Sequence, residues 1–171
     1  MRALSAALSA CLLALPAAAS GAARWNPAAP ENRQVLPTFN YSTVETVLTA
    51  IGATSQRRGN ADRPALAVTF SNGRRAAIIF GSCDRGGGPC RAISVQAVWN
   101  RPANVPPERL AANIHQFSLR YAFSRAFVTR DGRPALQRYL TADYGFIRGN
   151  LAVNLLVFAN HSERFASEVL R

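Results

Sequence analysis

From Tyr41 onward the apolar residues keep one of two periods, and each change of period marks a change of element. In "YSTVETVLTAIGA", Val44, Val47, Leu48 and Ile51 recur at i, i+3, i+4 and i+7, so a short helix carries one apolar face that must lie on something. Ser42 is placed to cap this helix, with Glu45 three residues on to reciprocate, and Gly52 ends it. "ALAVTFS" then alternates, with Leu66, Val68 and Phe70 on one side. The Asn72-Gly73 dipeptide tolerates positive φ, and "RRAAIIFGSC" returns as the second arm of a hairpin. After a glycine-rich loop, "CRAISVQAVWN" sets Ile93, Val95, Ala97 and Trp99 on one face of a further strand.

The period returns to 3.6 in "RPANVPPERLAANIHQFSLRYA", where Pro107 suits a first helical position and Leu110, Ile114, Phe117 and Tyr121 share a stripe. "FSRAFVT" and "ALQRYLTA" flank the Asp131-Gly132 turn as two short strands. A third and longest helix runs from about Arg148 to the end, apolar at Leu151, Leu155, Phe158, Phe165 and Val169. Val153, Leu156 and Val157 lie off that stripe, which predicts burial on more than one side. Either the sheet wraps around the helix, or these three residues form the seam of a homodimer, a common assembly among soluble oligomers. Counting the segment of Arg57 and Arg58 as a strand, the predicted order is α-β-β-β-β-α-β-β-α. This is an α+β fold with an antiparallel sheet flanked by helices, in a single domain over residues 41–171.

The opening "MRALSAALSACLLALPAAAS" has another character: one Arg, an Ala- and Leu-rich run, then Pro16 and small residues. It reads as a secretory signal over residues 1–19, with cleavage after Ala19 or alternatively after Ala23, and it is too Ala-rich for a convincing membrane span. A flexible Pro-containing tail is expected over residues 20–40, and the mature chain is expected in the periplasm or outside the cell.

Export changes the reading of the cysteines. Cys11 leaves with the signal, so Cys83 and Cys90 remain, an even number in an oxidising compartment, which predicts one disulfide. Two strands joined by "DRGGGP" bring the ends of that loop into the roughly 4.4–6.8 Å Cα range that a disulfide accepts. A zinc site would need two more ligands, and only His115 and His161 remain, on different predicted helices. A redox pair is usually a tighter C-x-x-C at a helix start, and the loop lacks the Gly-Lys-Ser/Thr of a phosphate-binding loop. No metal and no cofactor is expected.

All 20 basic residues are Arg, and against 9 acids they give a net charge of +11. Such a charge attracts nucleic acid, anionic lipid or acidic polysaccharide, although the arginines are scattered, doubled only at 57–58 and 74–75. Arg57, Arg58, Arg74 and Arg75, expected on neighbouring strands, are the candidate anion contacts; a nucleic-acid partner is not expected for an exported chain. No catalytic set is visible: "FGSC" is not a nucleophile elbow and no H-E-x-x-H occurs. His115 is expected at the edge of the core and His161, in "NHSER", in solvent.

Taken in order, the helix ending at Ile51-Gly52, the strands around Cys83 and Cys90, Asn113, the Asp131-Gly132 turn with Leu136 and Leu140, Gly145, Phe158 and Phe165 resemble the YbjN-like family of bacterial proteins, described as sensory transduction regulators. Order and spacing carry the resemblance, which runs from about Tyr41 to the end. It implies a fold similar to type III secretion chaperones, whose surface binds protein rather than turning over a substrate. Two features depart from the family: His115 and Gln116 stand where it tends to carry Trp-Asn, and the signal removes this chain from the cytosol. The function implied is an exported, non-enzymatic protein-binding and regulatory module of the bacterial envelope, with an unidentified protein partner. The alternative is an Arg-rich binder of anionic envelope lipid or polysaccharide.

Overall fold

A computed structural model describes residues 25–86 and 88–171. The signal segment, Cys11 and both cleavage sites lie outside the described residues. A 3₁₀ turn at Pro30–Arg33 is followed by β1 (Val35–Leu36), α1 (Tyr41–Ala50), β2 (Thr54–Gly59), β3 (Pro64–Thr69), β4 (Arg75–Cys83) and β5 (Cys90–Val98). Then come α2 (Pro107–Arg120), β6 (Arg125–Val128), β7 (Pro134–Thr141), β8 (Phe146–Ile147) and α3 (Arg148–Glu168). The main sheet is antiparallel in the order β2-β3-β4-β5-β7-β6, and β1 pairs with β8 in a separate two-stranded piece. The expected α+β architecture is therefore present, with two short strands added.

The alternation along the strands decides where the core sits. Leu66, Ile78, Val95, Phe80, Ile93, Leu140 and Leu136 are buried on one side of the sheet, and the apolar stripes of all three helices close onto them in a single cluster. Val44, Val47, Leu48 and Ile51 of the α1 stripe, and Leu110, Ile114 and Phe117 of α2, are all in it. No described helix is long and apolar enough to cross a membrane.

Two local expectations need correction. The α1 cap is Asn40, not Ser42: its Oδ1 accepts from the Thr43 N–H at 2.9 Å, and Thr43 Oγ1 accepts from the Asn40 N–H at 3.2 Å. The helix starts two residues earlier than the Ser42–Glu45 pairing requires, because the extended backbone at Asn40 aims its side chain at the free N–H groups. The tail expected over 20–40 is, from Trp25 onward, part of the body. Trp25 packs on the core, Leu36 and Phe39 are buried, and Phe39 exchanges two backbone hydrogen bonds of 2.8 Å with Cys90.

The off-stripe residues of α3 are covered only in part within one chain. The 3₁₀ turn, α1, α2, β5, β7 and β8 all pack around this helix, so Leu156 and Val157 are half-buried while Val153 stays 44% exposed.

Candidate functional site

Every described helix lies on one side of the main sheet, so among the described residues the other side is bare, and register arranges it in cross-strand rows. One row is Thr54, Thr69 and Arg75, across β2, β3 and β4. The next crosses the whole sheet as Gln56, Ala67, Ala77, Gln96, Gln137 and Arg125. A third is Arg58, Ala65, Ile79, Ser94 and Tyr139. Ser94 Oγ accepts from Gln96 Nε2 at 2.9 Å and from Gln137 Nε2 at 2.8 Å, fixing the central amides. Ile79 and Tyr139 stand 39% and 60% exposed. Small side chains at 65, 67 and 77 keep the middle low, and a hollow of about 360 Å³ opens beside Thr54, Gln56, Ala67, Thr69 and Arg75.

The four candidate arginines do not form one cluster. β3 lies between β2 and β4, so the two doublets are not on neighbouring strands. Arg57 pairs with Leu66 in register and therefore points to the helical side. There its guanidinium makes a two-pronged ion pair with Glu45, at 2.9 and 2.7 Å, and sits 4.8 Å from the Tyr41 ring centre. That hydrogen bonding holds the Glu45 carboxyl below its usual range. Arg74 lies in the β3–β4 turn, half-buried, with its Nε covered and without a hydrogen-bond partner among the described residues. Only Arg58 and Arg75 face outward on the bare side. Arg125, which the sequence did not single out, joins them at the far edge.

Cys83, at the end of β4, and Cys90, at the start of β5, are direct register partners, with their sulfurs at disulfide distance. The loop turns back through Gly86 at φ 78°, and the Asp84 N–H donates to Pro89 O at 3.1 Å. Among the described residues no three His, Cys, Asp or Glu side chains gather as metal ligands would.

The histidines exchange the places expected of them. His115 is exposed on α2, whereas His161 is buried at 8% exposure, with Nδ1 3.0 Å from Oγ of Ser124, itself 4% exposed. The spacing held the signal: 161 is three residues past Phe158 and four before Phe165, on the buried stripe. A serine beside an imidazole resembles a nucleophile and its base, but both are covered, and the pair ties α3 to the α2–β6 connection.

Burial, with the positive charges of Arg138 and Arg164, holds the His161 pKa below its ordinary value. The unfolded chain then takes up this proton more readily than the folded one. The stability it contributes is complete above the unfolded pKa near 6.5 and is lost as pH falls toward the lower folded value. His161→Gln, which can still bond Ser124, should therefore flatten the fall in melting temperature between about pH 7.5 and 5. Parallel wild-type and variant curves would remove His161 as the cause.

No curated protein matches the chain. The model of the YbjN family, described as "Putative bacterial sensory transduction regulator", matches residues 40–171. The match begins at the α1 cap and takes in all three helices and all six strands of the main sheet, so the bare face and the disulfide hairpin are part of the family domain, and the chain belongs to the YbjN family.

Proposed function

We propose that this chain is an exported, non-enzymatic protein-binding module with a regulatory role in the bacterial envelope, and that the bare face of the six-stranded sheet is its binding surface. The observation that carries the reading is the one-sidedness of the fold: three helices cover one face, and the other presents Ile79, Tyr139 and an ordered amide row to solvent. A face so broad with exposed aromatic and aliphatic groups suits a protein partner. The family's description as a sensory transduction regulator supports the regulatory part. Export rests on the leader pattern and on a paired cysteine set that suits an oxidising compartment.

The test is to produce the full chain in a bacterial host, weigh the product from the envelope fraction, and crosslink it in living cells. Loss of the first 19 or 23 residues together with a crosslinked envelope protein is the expected result. A full-length mass confined to the cytosol would remove export. Capture of glycan or lipid alone, released as salt rises, would replace protein binding by the anionic-envelope reading through Arg58 and Arg75.

A further inference from the structure

We infer that the bare sheet face docks a protein whose surface is acidic, held at its rim by Arg58, Arg75 and Arg125 and in its middle by neutral groups; this rests on the protein-binding reading above. The charge inventory of the face carries the inference. Its three rows contain three arginines and no carboxylate. The chain has only 9 acids for 20 arginines, and among the described residues all four ion pairs lie off this face: Arg57–Glu45, Arg120–Glu168, Arg133–Asp131 and Arg164–Glu168. Among the described residues the three face arginines have no carboxylate partner. Arg58 donates only to the neutral Gln56 Oε1, at 2.7 Å, and Arg125 rests over the Phe127 ring at 5.1 Å. Arg75 borders the hollow beside Thr54, Gln56 and Thr69, whose hydroxyls and amide can donate to the same carboxylate that its guanidinium would pair with.

The layout favours a protein over the other anions. Arg58 and Arg125 stand on the two edge strands, and Arg75 at the start of β4, two strands from β2 and three from β6. At about 4.8 Å per strand the charges are roughly 10 and 14 Å apart across the sheet, with Ala67, Ala77, Ser94, Gln96, Gln137, Ile79 and Tyr139 between them. A neutral centre inside a charged rim is the anatomy of a protein interface. A polyanion carries charge every few ångströms, about one per 1.7 Å in duplex DNA, and calls for a continuous run of cations. A second copy of this chain would set arginine against arginine, which like-charge repulsion opposes. The face spans about 24 Å by 20–30 Å, roughly 500–700 Å² taken flat, somewhat under the roughly 800 Å² that each partner contributes to a standard interface.

The experiment reverses the face and reads both place and charge. A synthetic peptide with a glutamate at every fourth residue and neutral residues between, about 13 Å between charges when extended, is titrated into the full chain, into the face variant Arg58→Glu/Arg75→Glu/Arg125→Glu, and into an equally reversed control, Arg101→Glu/Arg109→Glu/Arg171→Glu, at about 0.15 M salt. The expected result is a weakening of roughly tenfold or more for the face variant and little change for the control; equal weakening would overturn the inference, because net charge alone would then explain binding. Arg75→Glu alone repeats the comparison if the triple variant melts early. In parallel, a photoreactive residue is placed in cells at Ile79 on the face or at the exposed Leu119 on α2. A protein adduct at Ile79 that the face reversal abolishes is the expected result. An adduct at Ile79 that survives the reversal, or one at Leu119 alone, overturns the acidic docking face while leaving the protein-binding reading standing. No protein adduct at either position, with binding only to phosphatidylglycerol vesicles or dextran sulfate, overturns both.

Discussion

Replacing Phe165 by Ala is expected to cost about 3–5 kcal/mol of stability and to lower the melting temperature by roughly 6–20 °C for a chain of this size. Phe165 is fully buried. Its ring stacks on Trp99 at 4.7 Å between centres and meets Phe117 edge-on at 5.1 Å, so one side chain of α3 joins the end of β5 to α2. The loss combines the transfer of a large apolar group with the cavity left among neighbours that cannot all collapse, and the aromatic geometry adds about 0.5–1.5 kcal/mol per pair. Thermal unfolding followed by circular dichroism measures the effect. Val153→Ala, on the same helix but 44% exposed, is the control and should shift the transition by no more than about 1 kcal/mol. A comparably small shift for Phe165→Ala would mean that this aromatic junction is not packed as described.

The disulfide is the second large lever. Closing a loop this short should contribute roughly 2–3 kcal/mol on the chain-entropy model, so reduction is expected to lower the melting temperature by roughly 4–12 °C. Cys83 and Cys90 are seven residues apart. Cys90 also exchanges backbone hydrogen bonds with Phe39, so the bond steadies the hairpin end and the buried approach to α1 together. The variant Cys83→Ala/Cys90→Ala should melt near the reduced wild type and lose all sensitivity to reductant. Alkylation of the folded protein without reductant should leave both positions unlabelled. Ready labelling would show that the thiols are free in the native protein and would reopen the metal and redox readings.

Several elements were legible because their signal is local. The stripe of Val44, Val47, Leu48 and Ile51, the alternation through Leu66, Val68 and Phe70, and the Asn72-Gly73 and Asp131-Gly132 turns each depend on a few neighbouring residues, and all appear in place. The cap of α1 was misread by two residues because Asn40, Ser42 and Glu45 all suit a helix start, and only the backbone entering the helix selects among them. β1 and β8 are two residues each and exist only through each other; no period can show in so short a run. Arg57 and Arg58 are adjacent in sequence yet serve opposite sides of the sheet, one paired with Glu45 and the other facing solvent. A strand sends neighbours to opposite faces, and which face is covered depends on where distant helices settle.

The same division holds for the whole molecule. The longer helices and strands, the α+β class, the cysteine pair and the family are legible in the chain read in order, because periodicity, turn chemistry and spacing are local properties. Packing places His161 inside and His115 outside, surrounds much of α3 with its own chain, and sets Arg58, Arg75 and Arg125 on one face whose described rows hold no carboxylate. Those facts depend on strand order, register and the side on which helices pack, which are set by contacts between residues far apart in the chain, and such contacts leave no period for a local reading to detect.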